Sequence, residues 1–244
     1  MENYRSKEEY VHAVFSAIAH RYDLMNTLIS FNRHKAWRSF AVQQAGLKPG
    51  GSGLDVCCGT GMFAMEIAKV VGPGGRVTGL DFCENMLEVA DRNLKGTRYQ
   101  PIIDLVQGNA MDLPFPDNAF DCATIGFALR NVPDIEQVVR EMLRVVRPGG
   151  RVISLELAKP SAPFFKQLYY LYFDGIVPLM GRLGIGRFGP YNWLPKSLKL
   201  FPHQEEIRQL FARLGMEDAR CYELTGGVVA VHVGTKPGGE ADGL

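Results

Sequence analysis

A short apolar run, Leu54-Asp55-Val56-Cys57-Cys58, ends in Gly59-Thr60-Gly61 and opens at once into Met62-Phe63-Ala64-Met65-Glu66-Ile67-Ala68. The downstream apolar spacing is helical, so the chain here is a strand, a tight turn and a helix N-terminus in direct succession. Gly59 and Gly61 allow positive φ and a close backbone approach, and the first helical turn offers N–H groups that lack intrahelical partners. Such a turn is a cradle for a ligand, with the positive end of the helix dipole beneath it.

After Lys48-Pro49-Gly50-Gly51, strand and helix patterns alternate, which predicts an α/β fold with a parallel sheet and right-handed crossovers. Strands are expected near 52–58, 76–81, 102–107, 119–126 and 151–157, and helices near 61–71, 84–95 and 134–146. Pro73-Gly74-Gly75 and Pro148-Gly149-Gly150 each read as ending a helix and launching a strand. A helix near 203–214 precedes two β-rich runs, 217–224 and 228–235, joined at Thr225-Gly226-Gly227 as a terminal hairpin. Between Glu8 and about Leu47 the apolar residues, among them Val11, Val14, Phe15, Ile18, Trp37 and Phe40, recur at helical spacing and predict two or three helices. Residues 159–200 break the rhythm with Phe164-Phe165, Tyr169-Tyr170, Tyr172-Phe173 and Tyr191-Asn192-Trp193, which suits a cap over an apolar ligand or an ordinary packed helix. The expected organisation is therefore a helical cap over 1–47, a ligand-binding core over 48–158, a lid over 159–200, the rest of the core over 201–236 and a frayed tail over 237–244.

At 244 residues the chain needs no second full domain. Lys and Arg number 27 against 26 Asp and Glu, and a net charge of +1 gives no pull toward nucleic acid. The five cysteines form no paired CxxC spacing, which argues against a disulfide framework or a metal site and for reduced thiols in a cytoplasmic protein. Neither a signal-peptide core nor an apolar run of about 18 residues occurs, so only a peripheral membrane contact is expected.

Two ligands compete for the glycine turn. Gly59-Thr60-Gly61-Met62-Phe63-Ala64 satisfies G-x-G-x-x-A, and Asp81 follows at the end of the second strand, as a nicotinamide dinucleotide requires. Asp55, however, is an acid beside the turn, where it would repel a pyrophosphate and hold a cation, as in the ammonium of S-adenosylmethionine. The third strand ends in Gly108-Asn109-Ala110-Met111, an amide among small and apolar neighbours that suits an adenine edge, although Asn109 also reads as a plain turn residue. Asp81 serves the ribose hydroxyls in either case. Tyr22, Asp23, Asn26, Ser30 and Trp37 could reach a ligand or act as core and caps, and His34 titrates in the range of a base, although a lone His in a helix is more often structural.

The run from Asp55 to Gly61, with Asp81, Gly108-Asn109-Ala110 and Asp112-Leu113-Pro114-Phe115, resembles the core of class I S-adenosylmethionine-dependent methyltransferases. Tyr22-Asp23-Leu24-Met25-Asn26, Ser30, His34 and Trp37, with Arg130-Asn131-Val132 and Arg144-Val145-Val146-Arg147-Pro148-Gly149-Gly150, narrow the likeness to the UbiE/MenG family of quinone-biosynthesis C-methyltransferases. The resemblance implies a Rossmann-like, mostly parallel seven-stranded sheet with helices on both faces and a C-terminal antiparallel hairpin. It implies S-adenosylmethionine held by Asp55, Gly59, Thr60, Gly61, Asp81, Asn109, Ala110 and Gly126. The implied acceptor is a polyprenylated quinol, demethylmenaquinol first and the ubiquinone precursor second, methylated on a ring carbon beside Arg130, Asn131 and His34. A homodimer and contact with the inner face of the membrane are further expectations. The chain departs from the family at Asn32, Gly126, Ala128 and Arg147, where Gly, Ser, Gly and Lys are frequent, and Gly126 is expected to have lost a hydroxyl facing the cofactor. An NAD-dependent oxidoreductase and a catalytically silent cofactor-binding subunit are the rival readings.

Overall fold

The alternating patterns build one seven-stranded sheet in the order β3-β2-β1-β4-β5-β7-β6, in a computed structural model that describes residues 4, 6–177 and 189–238. Residues 178–188 of the expected lid and 239–244 of the expected tail lie outside the described residues, as do the side chains of Phe164, Phe165, Tyr191 and Asn192. The strands are β1 (Ser52–Val56), β2 (Arg76–Asp81), β3 (Ile103–Gln107), β4 (Phe120–Gly126), β5 (Val146–Leu157), β6 (Glu217–Leu224) and β7 (Val229–Thr235). β1 pairs in parallel with both β2 and β4, while β7 runs antiparallel between β5 and β6. The strand order reverses direction at β1 and β4, and in such sheets the crevice beyond the carboxyl ends at that point takes the ligand.

Helices α1 (Lys7–Ile18), α2 (Tyr22–Ile29) and α3 (His34–Gln44) precede the sheet, and α4 (Met62–Val71), α5 (Glu84–Leu94) and α6 (Ile135–Val145) connect its strands. Helices α7 (Pro163–Leu171) and α8 (Gly189–Leu200) belong to the aromatic segment, and α9 (Gln204–Arg213) leads into the hairpin. The apolar faces bury against the two sides of the sheet. Ile18, Met25, Trp37, Phe63, Ile67 and Val231 form one side of the core, and Leu54, Val56, Ile125, Val139, Met142 and Phe211 the other. Each large side chain so buried contributes about 1.5–3 kcal/mol, which is what drives a helix onto the sheet.

The start of β5 differs from the sequence expectation by several residues. β5 begins at Val146 and carries Pro148-Gly149-Gly150 inside it, where the glycines were expected to launch the strand at 151. Pro148 has no N–H for the ladder, and the register with β4 accordingly jumps from Phe120 opposite Val146 to Cys122 opposite Arg151. Lys236 bridges the irregular stretch, accepting from Gly149 N at 2.9 Å and donating to the Gly150 carbonyl at 2.8 Å.

Candidate active site

Beyond Val56 the chain turns through Cys57, Gly59 and Gly61, all at positive φ (56°, 55° and 78°), and Gly61 caps α4 in the left-handed conformation. A Cβ at Gly59 would meet nothing within 4 Å, so this face of the turn is open to a ligand. Asp81, at the carboxyl end of β2, braces the turn. Its Oδ2 accepts from Gly59 N at 2.8 Å and its Oδ1 accepts from Cys83 N at 2.9 Å, which leaves lone pairs on both oxygens for a ligand hydroxyl. Burial raises its carboxyl above the usual range, and these backbone bonds oppose the rise.

The site falls into two cavities that share Phe15, Tyr22 and Phe127 as lining residues. The first encloses about 720 Å³ of empty space, partly open to solvent, and is lined by Gly59, Asp81, Asn109, Ala110, Gly126 and Asn131 among others. Phe82, Met86 and Met111 add apolar surface, and Val11 and Phe15 of α1 close one side. An open glycine turn, a carboxylate for hydroxyls and an apolar wall fit S-adenosylmethionine. The second cavity, about 750 Å³, lies toward α2, α3 and the aromatic segment. Its lining is mostly apolar, including Ile29, Trp37, Phe173 and Trp193, with His34, Ser30 and Arg130 as polar members.

Asp55, Thr60 and Gly61, expected at the cofactor, line neither cavity. Asp55 is 1% exposed within β1; its Oδ1 accepts from Thr124 Oγ1 at 3.0 Å, while Oδ2 has no partner among the described residues. Burial pushes its carboxyl up to about 7, because a buried site disfavours the charged form. Thr60 donates to Asp23 Oδ1 at 2.7 Å, and Asn93 Nδ2 donates to Asp23 Oδ2 at 3.2 Å and to the Thr60 carbonyl at 3.0 Å. These bonds pin α2 to the glycine turn. Asn109 is indeed a turn residue, its Oδ1 accepting from Met111 N at 2.9 Å, and it also lines the first cavity. The expected loss at Gly126 is corrected: a Cβ there would lie 2.6 Å from the Phe63 ring, so a side chain would press into α4 rather than face the cofactor.

Arg130 and His34 meet in the second cavity. Arg130 Nη1 pairs with Glu156 Oε1 at 2.5 Å and donates to the Phe127 carbonyl at 2.6 Å, both side chains being buried. Glu156 is thus the counter-charge that allows an arginine into an apolar wall. His34 is buried beside Ser30, with Nδ1 2.7 Å from Ser30 Oγ, and burial together with Arg38 and Lys35 lowers its pKa to about 4. Asn131, expected at the acceptor ring, lines the first cavity instead, because Trp193 Nε1 donates to its Oδ1 at 2.8 Å and draws the amide away from Arg130.

Sequence reasoning missed Phe127, whose φ of 55° is strained for an aromatic residue and which separates the cavities. It also read Val11 and Phe15 only as packing residues, since a residue lining a cavity and one lining a core share the same helical period. The Asp23–Thr60 bond joins residues 37 positions apart, for which no local pattern exists.

The model of the ubiE/COQ5 methyltransferase family matches residues 3–236. A demethylmenaquinone methyltransferase of Desulfitobacterium hafniense is 52% identical over 233 residues, 96% of this chain and 92% of that protein. Another so named, from Halalkalibacterium halodurans, is 47% identical over 231 residues, 95% of this chain and 94% of that protein. Among solved structures, a SAM-dependent methyltransferase from Aquifex aeolicus superposes with a TM-score of 0.64 at 18% identity, covering 88% of this chain and 97% of that one, which speaks for the fold. With a glycine turn, a β2 carboxylate and two joined cavities in this sheet topology, the chain belongs to the ubiE/COQ5 methyltransferase family.

Proposed function

We propose that this enzyme transfers a methyl group from S-adenosylmethionine to a ring carbon of demethylmenaquinol in menaquinone biosynthesis. The observation that carries the reading is the pair of cavities meeting at Tyr22, Phe15 and Phe127, one beside the glycine turn and the Asp81 carboxylate and one around His34 and Arg130. The donor, when bound, supplies a methyl group already activated by a sulfonium charge. The chain must then bind both partners, align carbon with methyl, exclude water and favour loss of a ring-hydroxyl proton. Asp81 and the Gly59 turn would hold the donor's sugar, and Ala110 and Met111 would lie at its base. Phe15, Phe127, Trp37 and Phe173 wall the ring from solvent. Arg130, fixed in place by Glu156, favours negative charge on the ring oxygen without giving up its own proton. Burial raises the Tyr22 hydroxyl above its ordinary range, so Tyr22 stays protonated at the junction of the cavities.

Relatives named demethylmenaquinone methyltransferase favour the naphthoquinol over the benzoquinol of ubiquinone synthesis. Methyl transfer from labelled S-adenosylmethionine to both quinols by the purified protein tests this. Activity on demethylmenaquinol is expected, and activity confined to the benzoquinol would reverse the assignment. The same assay separates an active enzyme from a silent cofactor-binding subunit. A polyprenyl tail also needs a route from the bilayer. No helix among the described residues is long and apolar enough to cross a membrane. Leu24, Phe31 and Leu171 are 59%, 77% and 67% exposed, and the Phe31 ring lies against Tyr172, whose hydroxyl donates to the Ile29 carbonyl beside the second cavity. This apolar rim supports docking on the inner face of the membrane. Liposome co-sedimentation should show binding that Phe31→Ser weakens, and no binding by the parent protein would refute it.

A further inference from the structure

The second cavity contains a proton whose position the hydrogen bonds determine. Ser30 Oγ donates to the Asn26 carbonyl at 2.6 Å, an i to i−4 bond inside α2 and its cap. A serine hydroxyl has one proton, and this bond uses it. At the 2.7 Å contact with His34 Nδ1 the serine oxygen must therefore accept, so the imidazole proton sits on Nδ1. The His34 backbone N–H is a second donor to the same oxygen, at 3.4 Å. In a neutral imidazole with Nδ1 protonated, Nε2 is a bare acceptor.

The ring is held neutral by burial and by the positive charges of Arg38 and Lys35 on its own helix, and Arg130 faces it across the cavity. The ring meets Ser30 Oγ through Nδ1 and hydrogen-bonds the Asn26 backbone, and His34 lines the apolar cavity with Arg130. An acceptor in such a place has a consequence for ligand choice. It welcomes a hydroxyl, which can donate to it, and it is left unsatisfied opposite a carbonyl oxygen, which cannot.

We propose that His34 Nε2 reads a ring hydroxyl of the acceptor, so that the cavity takes the dihydroxy form of a quinone couple and rejects the dicarbonyl form. This rests on the assignment of the second cavity to the acceptor ring. His34 is thereby a specificity residue that touches substrate, and Ser30 is the positioning residue that fixes its tautomer. The reduced form is also the one whose ring carbon is nucleophilic, so recognition at His34 admits only the reactive state.

The test uses 2,3-dimethyl-1,4-naphthoquinone and its dihydroxy form under anaerobic conditions, the blocked ring carbons preventing addition to the Cys57 thiol that lines the first cavity. The full-length protein should bind the dihydroxy form about tenfold or more tightly than the dicarbonyl form, the factor expected for one unsatisfied buried acceptor. His34→Gln, whose amide can donate as well as accept, should reduce that preference toward unity while leaving affinity for S-adenosylhomocysteine unchanged. Equal binding of the two forms by the parent protein, or an unchanged preference in His34→Gln, overturns the proposal while leaving the acceptor cavity intact. Binding of neither form overturns both, although turnover of demethylmenaquinol would then still support the enzyme assignment. Independently of any variant, long-range ¹⁵N correlation spectra of the parent protein should place the His34 proton on Nδ1, and a proton on Nε2 refutes the mechanism of selection.

Discussion

Replacing Asp55 by asparagine should stabilise the ligand-free protein at pH 8, with a gain that disappears on acidification. Asp55 is 1% exposed, and burial, with Asp81 adding repulsion, lifts its carboxyl from 3.8 to about 7 against the opposing bonds from Thr124 and Ala64. A folded-state value above the unfolded one means that the protonated carboxyl favours folding at low pH. That contribution is complete below 3.8 and is lost as the pH rises through about 7. At 1.36 kcal/mol per unit, the loss amounts to about 4 kcal/mol at pH 8 and about 2 kcal/mol at pH 5. Asparagine carries no charge at either pH, but its amide group replaces an oxygen that has no partner, which costs about 1–2 kcal/mol. The net gain is then about 2–3 kcal/mol at pH 8 and close to zero at pH 5, where urea unfolding with an unchanged m-value would read it. A chain of this size should show about 2–4 °C in Tm per kcal/mol. The same variant should bind S-adenosylmethionine more weakly, because stability retained at the expense of a buried charge would be exchanged for the field beneath the glycine turn. A gain of equal size at both pH values, or a loss of stability at pH 8, would show that Asp55 is not a buried charge in the ligand-free protein.

Three further outcomes are expected. Asp81→Ala removes the acceptor of Gly59 N and Cys83 N and should weaken S-adenosylhomocysteine binding by about 1–3 kcal/mol in calorimetry, and unchanged affinity would remove Asp81 from the site. Glu156→Gln leaves Arg130 buried without its counter-charge and should destabilise the fold by about 3–5 kcal/mol in urea unfolding, so a loss below about 1 kcal/mol would refute the ion pair as drawn. His232 is buried with Nε2 2.8 Å from the Gln204 carbonyl, and burial lowers its pKa to about 4. Its folded value lies below the unfolded 6.5, so its own contribution to stability should be lost as pH falls from about 6.5 to 4, by up to about 3 kcal/mol, and His232→Gln should remove that contribution from the profile.

The sheet was legible because its signals are local. Each strand announces itself by a run of apolar residues, each helix by its period, and Gly59 and Gly61 mark a turn that few other residues can make. The same locality explains the misplaced start of β5: Pro148-Gly149-Gly150 is a strong break in the sequence, yet Lys236, from the far end of the chain, holds the stretch in strand. Site residues sort by the same rule. Asp81 stands at a strand end that topology directs to the crevice, so its position could be read. The partners of Asp55 and Asn131 could not be read from their neighbours, because their bonds come from Thr124 and Trp193, 69 and 62 residues away.

By itself, then, the sequence determined the α/β architecture, the glycine cradle and a cofactor of adenosyl type, since these depend on periodicity, backbone freedom and residue order. Only the tertiary structure decided that two cavities meet at Tyr22 and Phe127, that Arg130 enters an apolar wall with Glu156, and that the His34 ring rests on Ser30. These depend on desolvation and on hydrogen-bond partners brought from other elements, and such quantities exist only once the chain has closed on itself.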